Sequence, residues 1–280
     1  TFHCQTETIP TYHLPETPAL VLSKAAAYAE WRHQRPGMVP DFDDLDLSAV
    51  RNICANACAR CGAGWLSTEE TRNVLSAIKV PVQAGGVAKT ADEAAALATQ
   101  VGYPVAVKLA SRQIVHKTEV GGVQLNLRDV QAVRKAFDSM RTRLAETNQL
   151  DAMEGVLVQP MATGGVEVMI GVTDDSLFGP LIAFGLGGIH VEILGDVQFR
   201  ITPLTDRDAA EMIRGIKAYR LLTGYRGHPP ADLEALEETL LRVSRLVEEI
   251  PEISELDLNP IFALPPGQGC RIVDARIRVG

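Results

Sequence analysis

The sequence predicts an α/β fold with mixed sheets, and three observations carry that prediction. Ser67-Thr-Glu-Glu70 and Thr90-Ala-Asp-Glu93 have the spacing of helix capping boxes. Short β-branched apolar runs, Val105 to Leu109 and Gly155 to Gln159, read as buried strands. The helical and strand patterns alternate along the chain, without a repeat or a low-complexity segment. In order, a Pro-rich opening precedes an Ala-rich helical run from Ala19 to Arg35 and an acidic linker from Pro36 to Asp46. Residues 1 to about 64 therefore read as a domain tail plus linker. The Ser67 box starts a helix to about Ile78, before a strand-like Val80-Pro-Val82, and the Thr90 box starts one that stops at Gly102. Strands at Val105 to Leu109 and Val123 to Leu127 enclose a long polar connection. Asp129 caps an amphipathic helix to about Leu144, and Pro160 ends the next strand. Val166 to Val172, Leu181 to Phe184 and Val197 to Ile201 read as strands, with a glycine-rich turn Gly185-Leu-Gly-Gly188 after the second. Thr205-Asp-Arg-Asp208 caps one helix and Asp232 opens another to about Glu249; Ile253 to Leu258 and Arg271 to Val273 close the pattern.

Composition narrows the function classes. With 280 residues, 46% hydrophobic and 22% charged, the chain is globular and long enough for a large core or two to three small ones. A net charge of −8 argues against a general nucleic-acid surface, so a polyanionic ligand would be held locally. No apolar run approaches a membrane span, and the N-terminus has no charged region followed by an apolar core, which makes the cytoplasm the default expectation. The chain opens on Thr1 rather than Met and is expected to be a piece of a longer protein. Cys54, Cys58 and Cys61 have the C-x3-C-x2-C spacing of cluster-ligating radical enzymes. The same spacings place all three on one helical face, the position of core residues, and that reading is preferred. Five scattered cysteines do not make a disulfide framework.

Several residues could carry chemistry. Lys108 lies inside a buried strand, where an ammonium needs an anion such as phosphate. The glycines at 185, 187 and 188 could bring backbone N–H groups to a phosphate, although the spacing is not the dinucleotide fingerprint because His190 stands where the third glycine belongs. Alternation sends Glu255, Asp257 and Asn259 to one face while Leu256 and Leu258 face the core. Oxygen ligands on one face suit magnesium, and Asp274 could add a carboxylate from the neighbouring strand. His116, in the connection after Lys108, has a cation, a hydroxyl and a carboxylate within three residues, a setting for a nucleophile that accepts a phosphoryl group. His3, His13, His33, His190 and His228 have no comparable setting and read as structural.

Together these residues resemble the nucleotide-binding part of the NDP-forming acyl-CoA synthetases, over about residues 65 to 280. The motifs are Gly102-Tyr-Pro-Val-Ala-Val-Lys108, Ile114-Val-His-Lys-Thr-Glu-Val-Gly-Gly-Val123, Gly165-Val-Glu-Val-Met-Ile-Gly171, Phe178-Gly-Pro180, Phe184-Gly-Leu-Gly-Gly188, Tyr225-Arg-Gly227 and Leu256-Asp-Leu-Asn-Pro260. The resemblance implies an ATP-grasp fold, with a small lobe at about 88–160, a large lobe at about 160–280, and residues 1–64 as the tail of a CoA-ligase domain plus linker. It implies that Lys108 contacts nucleotide phosphates, that Gln159 to Met161 line the adenine pocket through backbone groups, and that Glu167 faces the ribose or phosphates. It further implies that Gly185, Gly187, Gly188 and Arg200 close on the phosphates, that Asn259 and Asp274 bind magnesium, that Asp257 orients the phosphohistidine, and that His116 carries phosphate on a swinging loop.

The reaction implied is acid plus CoA plus ATP giving acyl-CoA, ADP and phosphate, through acyl-phosphate and phosphohistidine. ATP and magnesium are then the expected cofactors and CoA a co-substrate. CoA-binding domains, on the same polypeptide or an alpha subunit, are the expected partners, together with a small carboxylic acid, an oligomer, and neither nucleic acid nor membrane. The alternative is a regulatory ATP-grasp module of the kind fused to protein acetyltransferases, which would bind ligand without full turnover. Intact Lys108, His116, Asp257 and Asn259 favour catalysis.

Overall fold

A computed structural model describes residues 2–4, 7–114, 116–188, 195–227 and 229–280. His190 and His228 lie outside the described residues, as do Val115 of the histidine motif and the side chains of His3 and Cys61. The chain divides into two compact units, Thr1–Met38 and Val39–Gly280. Among the described residues no helix is long and apolar enough to cross a membrane.

The first unit holds an antiparallel pair, β1 (Phe2–Cys4) and β2 (Glu7–Ile9), and one helix, α1 (Glu16–His33). No residue of α1 is buried, and Leu20, Leu22, Tyr28 and Trp31 are all more than half exposed.

The second unit begins with α2 (Leu47–Cys61), β3 (Gly64–Trp65) and α3 (Thr68–Ala77). Ser67 and Glu70 cap α3 reciprocally, as expected. At α4 (Ala91–Val101), Thr90 accepts from the Glu93 N–H, while the Glu93 carboxylate reaches one residue further back, to the Lys89 N–H at 2.7 Å. Around α4 stands a four-stranded antiparallel sheet in the order β4-β7-β5-β6, from β4 (Gly86–Ala88), β5 (Val105–Ala110), β6 (Val123–Leu127) and β7 (Gly155–Pro160). Every residue of β5 is buried, which is why it reads as an unbroken apolar run. α5 (Val130–Glu146) closes this lobe with Val133, Ala136, Phe137, Met140 and Leu144, one helical face at spacings of three and four.

The larger lobe is a seven-stranded antiparallel sheet in the order β10-β9-β8-β11-β13-β3, with β12 also on β11. Its strands are β8 (Val166–Asp175), β9 (Gly179–Leu186), β10 (Val197–Ile201), β11 (Ile253–Ala263), β12 (Cys270–Ile272) and β13 (Ala275–Val279). Three helices follow β10: α6 (Asp206–Gly215), the single turn α7 (Tyr219–Leu222) and α8 (Leu233–Glu249). Val168, Ile170, Val172, Ile182, Phe184, Leu256 and Leu258 point to one face of the sheet, where α2, α3, α6 and α8 pack on them. Alternation leaves Glu167, Gly171, Asp257 and Arg276 on the opposite face, with Gly171 and Arg276 directly flanking Asp257.

Four details depart from expectation. Val80 to Val82 forms no strand, only an isolated parallel bridge from Val82 to Ile272. Gly185 belongs to β9 and opposes Val197, so the glycine turn starts two residues later. β13 went unanticipated because its outward residues are arginines. Finally, the division at residue 64 falls inside the second unit: Val50, Cys54 and Ala57 of α2 share the core of the large sheet. Cys54 is fully buried, and burial pushes its thiol up to about 11, which suits a core residue and not a thiolate ligand.

Candidate active site between the lobes of the second unit

A cavity of about 670 Å³ opens between the two sheets. Lys108 on β5, Gln159 on β7, Glu167 on β8, Asp257 and Asn259 on β11, and Asp274 before β13 all line it. His116, Lys117, Thr118 and Glu119 form its rim, and Gly188 its far side.

 Nine of the twelve expected site residues, Met161 included, are lining residues, and a tenth, Gly187, stands directly behind one of them, its N–H donating to the Glu167 carbonyl at 2.9 Å.

The electrostatics centre on Asp274. Its carboxylate accepts from Lys117 Nζ at 3.1 Å, and its backbone carbonyl accepts from the Asn259 N–H at 3.2 Å. Burial pushes the Asp274 carboxyl up, but Lys117 and Lys108 outweigh burial and hold it below the usual carboxylate range. Lys108 is buried, and its ammonium donates to the Val273 carbonyl at 2.8 Å. Burial lowers the Lys108 pKa, Asp274 pulls it back up and Lys117 opposes that. For Asp257 burial raises the pKa, Arg276 across the β11–β13 pair lowers it, and Asp274 raises it again. A raised carboxyl favours the folded state in its protonated form, so its ionisation penalises folding at neutral pH, and the penalty fades as pH falls through the folded pKa. Asp257→Asn is therefore expected to raise the melting temperature of the ligand-free protein at pH 7, by an increment that shrinks towards pH 4. Thermal denaturation across that range checks this; an increment that grows on acidification would refute it.

Local sequence explains how the wall is built. Gly188 has φ +64°, and a Cβ there would stand 2.8 Å from Glu167 Oε2, so glycine alone lets the chain turn here and aim its N–H at Asn259 Oδ1, 3.1 Å away. Gln159 is buried, and its Oε1 has no hydrogen-bond partner among the described residues. His116 is the opposite case: its side chain is 76% exposed, with Nδ1 3.9 Å from Glu119 Oε1, too far for a hydrogen bond.

Other expected residues have different tasks. A Cβ on Gly185 would meet the Asp196 carbonyl at 2.7 Å, and one on Gly187 the Val168 carbonyl at 2.8 Å; both glycines permit close approach of neighbouring backbone. Arg200 on β10 lies near Asp208 (3.9 Å) and Glu211 (3.6 Å) of α6 and does not line the cavity. Glu255 pairs with Arg278 at 2.6 Å, which removes it from the oxygen set of Asp257 and Asn259. Of the backbone groups at 159–161, the Met161 N–H is engaged by the Pro104 carbonyl (2.9 Å) and the Pro160 carbonyl by Gln83 Nε2 (3.0 Å), so few remain for a base. Lys117 and Arg276 were not singled out from sequence. The only signal for Lys117 was its place beside His116, and for Arg276 the alternation of Arg276 and Arg278 with Ile277 and Val279.

The donor set can be tested against a metal. Asp274 offers carboxylate oxygen and Asn259 amide oxygen on one wall, with the Asp257 carboxylate beside them, and the Asp274 charge disfavours ionisation of Asp257. Two repelling carboxylates and hard oxygen donors, too few to enclose an ion, fit magnesium that completes its shell with water and phosphate oxygens. Among the described residues no group of three or more His, Cys, Asp or Glu could hold a metal without such help.

A family model described as an ATP-grasp domain matches residues 57–279. The subunit beta of acetate–CoA ligase (ADP-forming) II from Pyrococcus furiosus is 47% identical over 209 residues, which cover 74% of this chain and 89% of that subunit. The chain belongs to the ADP-forming acyl-CoA synthetases, in their ATP-grasp part. A second relative in this family, the ADP-forming 4-hydroxybutyrate–CoA ligase of Nitrosopumilus maritimus, is 37% identical over 269 residues; the match covers 96% of this chain but only 38% of that protein. Among solved structures, a dinucleotide forming acetyl-coenzyme A synthetase 1 of Ca. Korarchaeum cryptofilum matches with a TM-score of 0.70 and 39% identity, over 82% of this chain and 100% of that one. It was solved with coenzyme A and Mg-AMPPCP, its phosphohistidine segment pointing towards the nucleotide binding site.

Proposed function

We propose that this chain is the nucleotide-binding part of an acid–CoA ligase that converts acid, CoA and ATP into acyl-CoA, ADP and phosphate, with His116 as the phosphoryl carrier. One observation carries the reading: an unengaged histidine stands at the rim of a cavity whose walls hold a buried lysine and a carboxylate–amide oxygen pair. The phosphohistidine segment named for the Ca. Korarchaeum cryptofilum enzyme supports it from outside.

In this reading Lys108 holds nucleotide phosphate by a charge-assisted contact. Asn259 and Asp274 hold magnesium, which neutralises phosphate charge when bound. The imidazole of His116 attacks the terminal phosphorus; a P–N bond forms as the P–O bond to ADP breaks. Asp257 orients the ring, Glu167 faces the nucleotide across the cavity, and Gly188 keeps that wall open. Positioning and charge neutralisation carry such transfers more than covalent chemistry does. The phosphoryl group then passes to the acid, through acyl-phosphate, and CoA displaces phosphate. Those later steps need CoA-binding domains, on the same polypeptide or an alpha subunit, as in the beta subunits this chain resembles. Residues 1 to about 64 are then the approach from such a domain, consistent with the match to the Nitrosopumilus ligase across 96% of this chain.

Incubation with γ-labelled ATP and magnesium tests the proposal. Acid-labile, base-stable phosphate on the peptide that contains His116 is expected. A protein that binds ATP yet acquires no such label would sink it.

A further inference from the structure

We propose that Lys117 is the positioning residue that docks the His116 segment at the cavity, through its ion pair with Asp274. The segment between β5 and β6 is fastened in two ways. Ile114, 8% exposed, and the half-buried Val120 pack with Leu109, Leu144 and Ala152, and the Leu109 N–H donates to the Gly122 carbonyl at 2.7 Å, so both ends are held to the small lobe. Lys117, with its side chain 7% exposed, crosses to the other wall and meets the Asp274 carboxylate at 3.1 Å. The remaining bonds are largely internal: Glu119 N–H to the His116 carbonyl (3.2 Å), Gly121 N–H to Thr118 (3.0 Å) and Gly122 N–H to Lys117 (2.7 Å). They would travel with the segment and so fix its shape but not its place. Among the described residues the His116 side chain makes no positioning contact of its own, since Glu119 belongs to the same turn.

The pair is also hard to break. Asp274 is 20% exposed, and without Lys117 its carboxylate would keep Lys108 and Arg276 as nearby cations among the described residues but lose the one that meets it directly. Stranding a buried charge is strongly unfavourable. The residue beside the carrier thus sets how firmly the carrier is held, while the carrier's ring stays unencumbered for attack.

The functional part of this assignment rests on His116 accepting phosphate; the docking part does not. Amide hydrogen exchange over residues 116–122 of the full chain, in EDTA without nucleotide, reads docking alone. Lys117→Met and Asp274→Asn are each expected to raise exchange by about tenfold or more, and the double variant no further than either single one. Lys117→Arg should restore exchange to within about threefold of the parent, because the guanidinium can still pair with Asp274. Lys117→Gln replaces the methionine variant if that one does not fold. The rate of label transfer from γ-labelled ATP to His116 should fall about tenfold in Lys117→Met and recover in Lys117→Arg. Unchanged exchange in Lys117→Met, or additive effects in the double variant, overturns the proposal. Absence of label in the unaltered protein instead removes the carrier role of His116, and the exchange cycle still decides whether Lys117 docks the segment.

Discussion

Replacing His116 with alanine is expected to reduce phosphate labelling by at least about a thousandfold, because a lost nucleophile has no substitute in the cavity wall. The reason lies in the company the imidazole keeps. Lys108 and Lys117 are cations committed to partners, and Asp257 and Asp274 are carboxylates whose phosphorylated forms would differ in lability from phosphohistidine. Among the described residues His116 alone combines an exposed nitrogen with a place on the rim. Because the ring is 76% exposed, its removal should leave folding stability within about 0.5 kcal/mol. Nucleotide affinity should likewise change little. Quenched-flow labelling, thermal denaturation and calorimetric titration with a non-hydrolysable nucleotide separate the three quantities. Label that persists in His116→Ala at the parent's rate would exclude this residue as the carrier.

Lys108→Met should act at the other end of the reaction. A buried ammonium whose hydrogen bond goes to a carbonyl, 2.8 Å away at Val273, retains donors for an incoming anion. Truncating one partner of a buried charge pair costs roughly 2–5 kcal/mol, so affinity for magnesium nucleotide should fall by about thirtyfold to several thousandfold. Methionine keeps the stem's apolar contacts in β5, which separates charge from packing. Since burial lowers the Lys108 pKa, the folded state resists its protonation, and methionine removes that penalty. The free protein should therefore lose much less than the complex does. Titration calorimetry at constant salt measures the affinity; an unchanged dissociation constant would rule out a phosphate contact at Lys108.

How much of this was legible in the sequence differs from residue to residue, for physical reasons. Ser67, Thr205 and Asp232 announced their helices because a cap acts within one turn, and local interactions leave local patterns. The strand at Lys108 and the alternation around Asp257 were equally plain, since each reflects burial on known faces. The glycines at 185 and 187 were harder. A glycine that admits a neighbouring strand and one that cradles a phosphate look alike until the neighbour is known, and here Asp196 and Val168 are the neighbours. The surroundings of Arg200 were hidden similarly: its acidic companions are on α6, eight and eleven residues away, and nothing near it in sequence points there. Lys117 is the most instructive omission. In sequence it is only the cation beside His116, yet the residue that pairs with it is Asp274, in a different lobe.

The edge of the large sheet carries one more consequence. β3 pairs with β13, Gly64 opposite Val279, and the Leu66 N–H donates to the Ile277 carbonyl at 2.9 Å. The first strand of the ATP-grasp match therefore completes the sheet only against its last. During synthesis at the ribosome, β3 must wait for nearly everything after it before its partner emerges, and loop closure over such a span is slow to be rewarded. Until then Leu66, Val74 and Leu75 lack the β13 side of their core, and a nascent chain in that state presents an open edge to its neighbours.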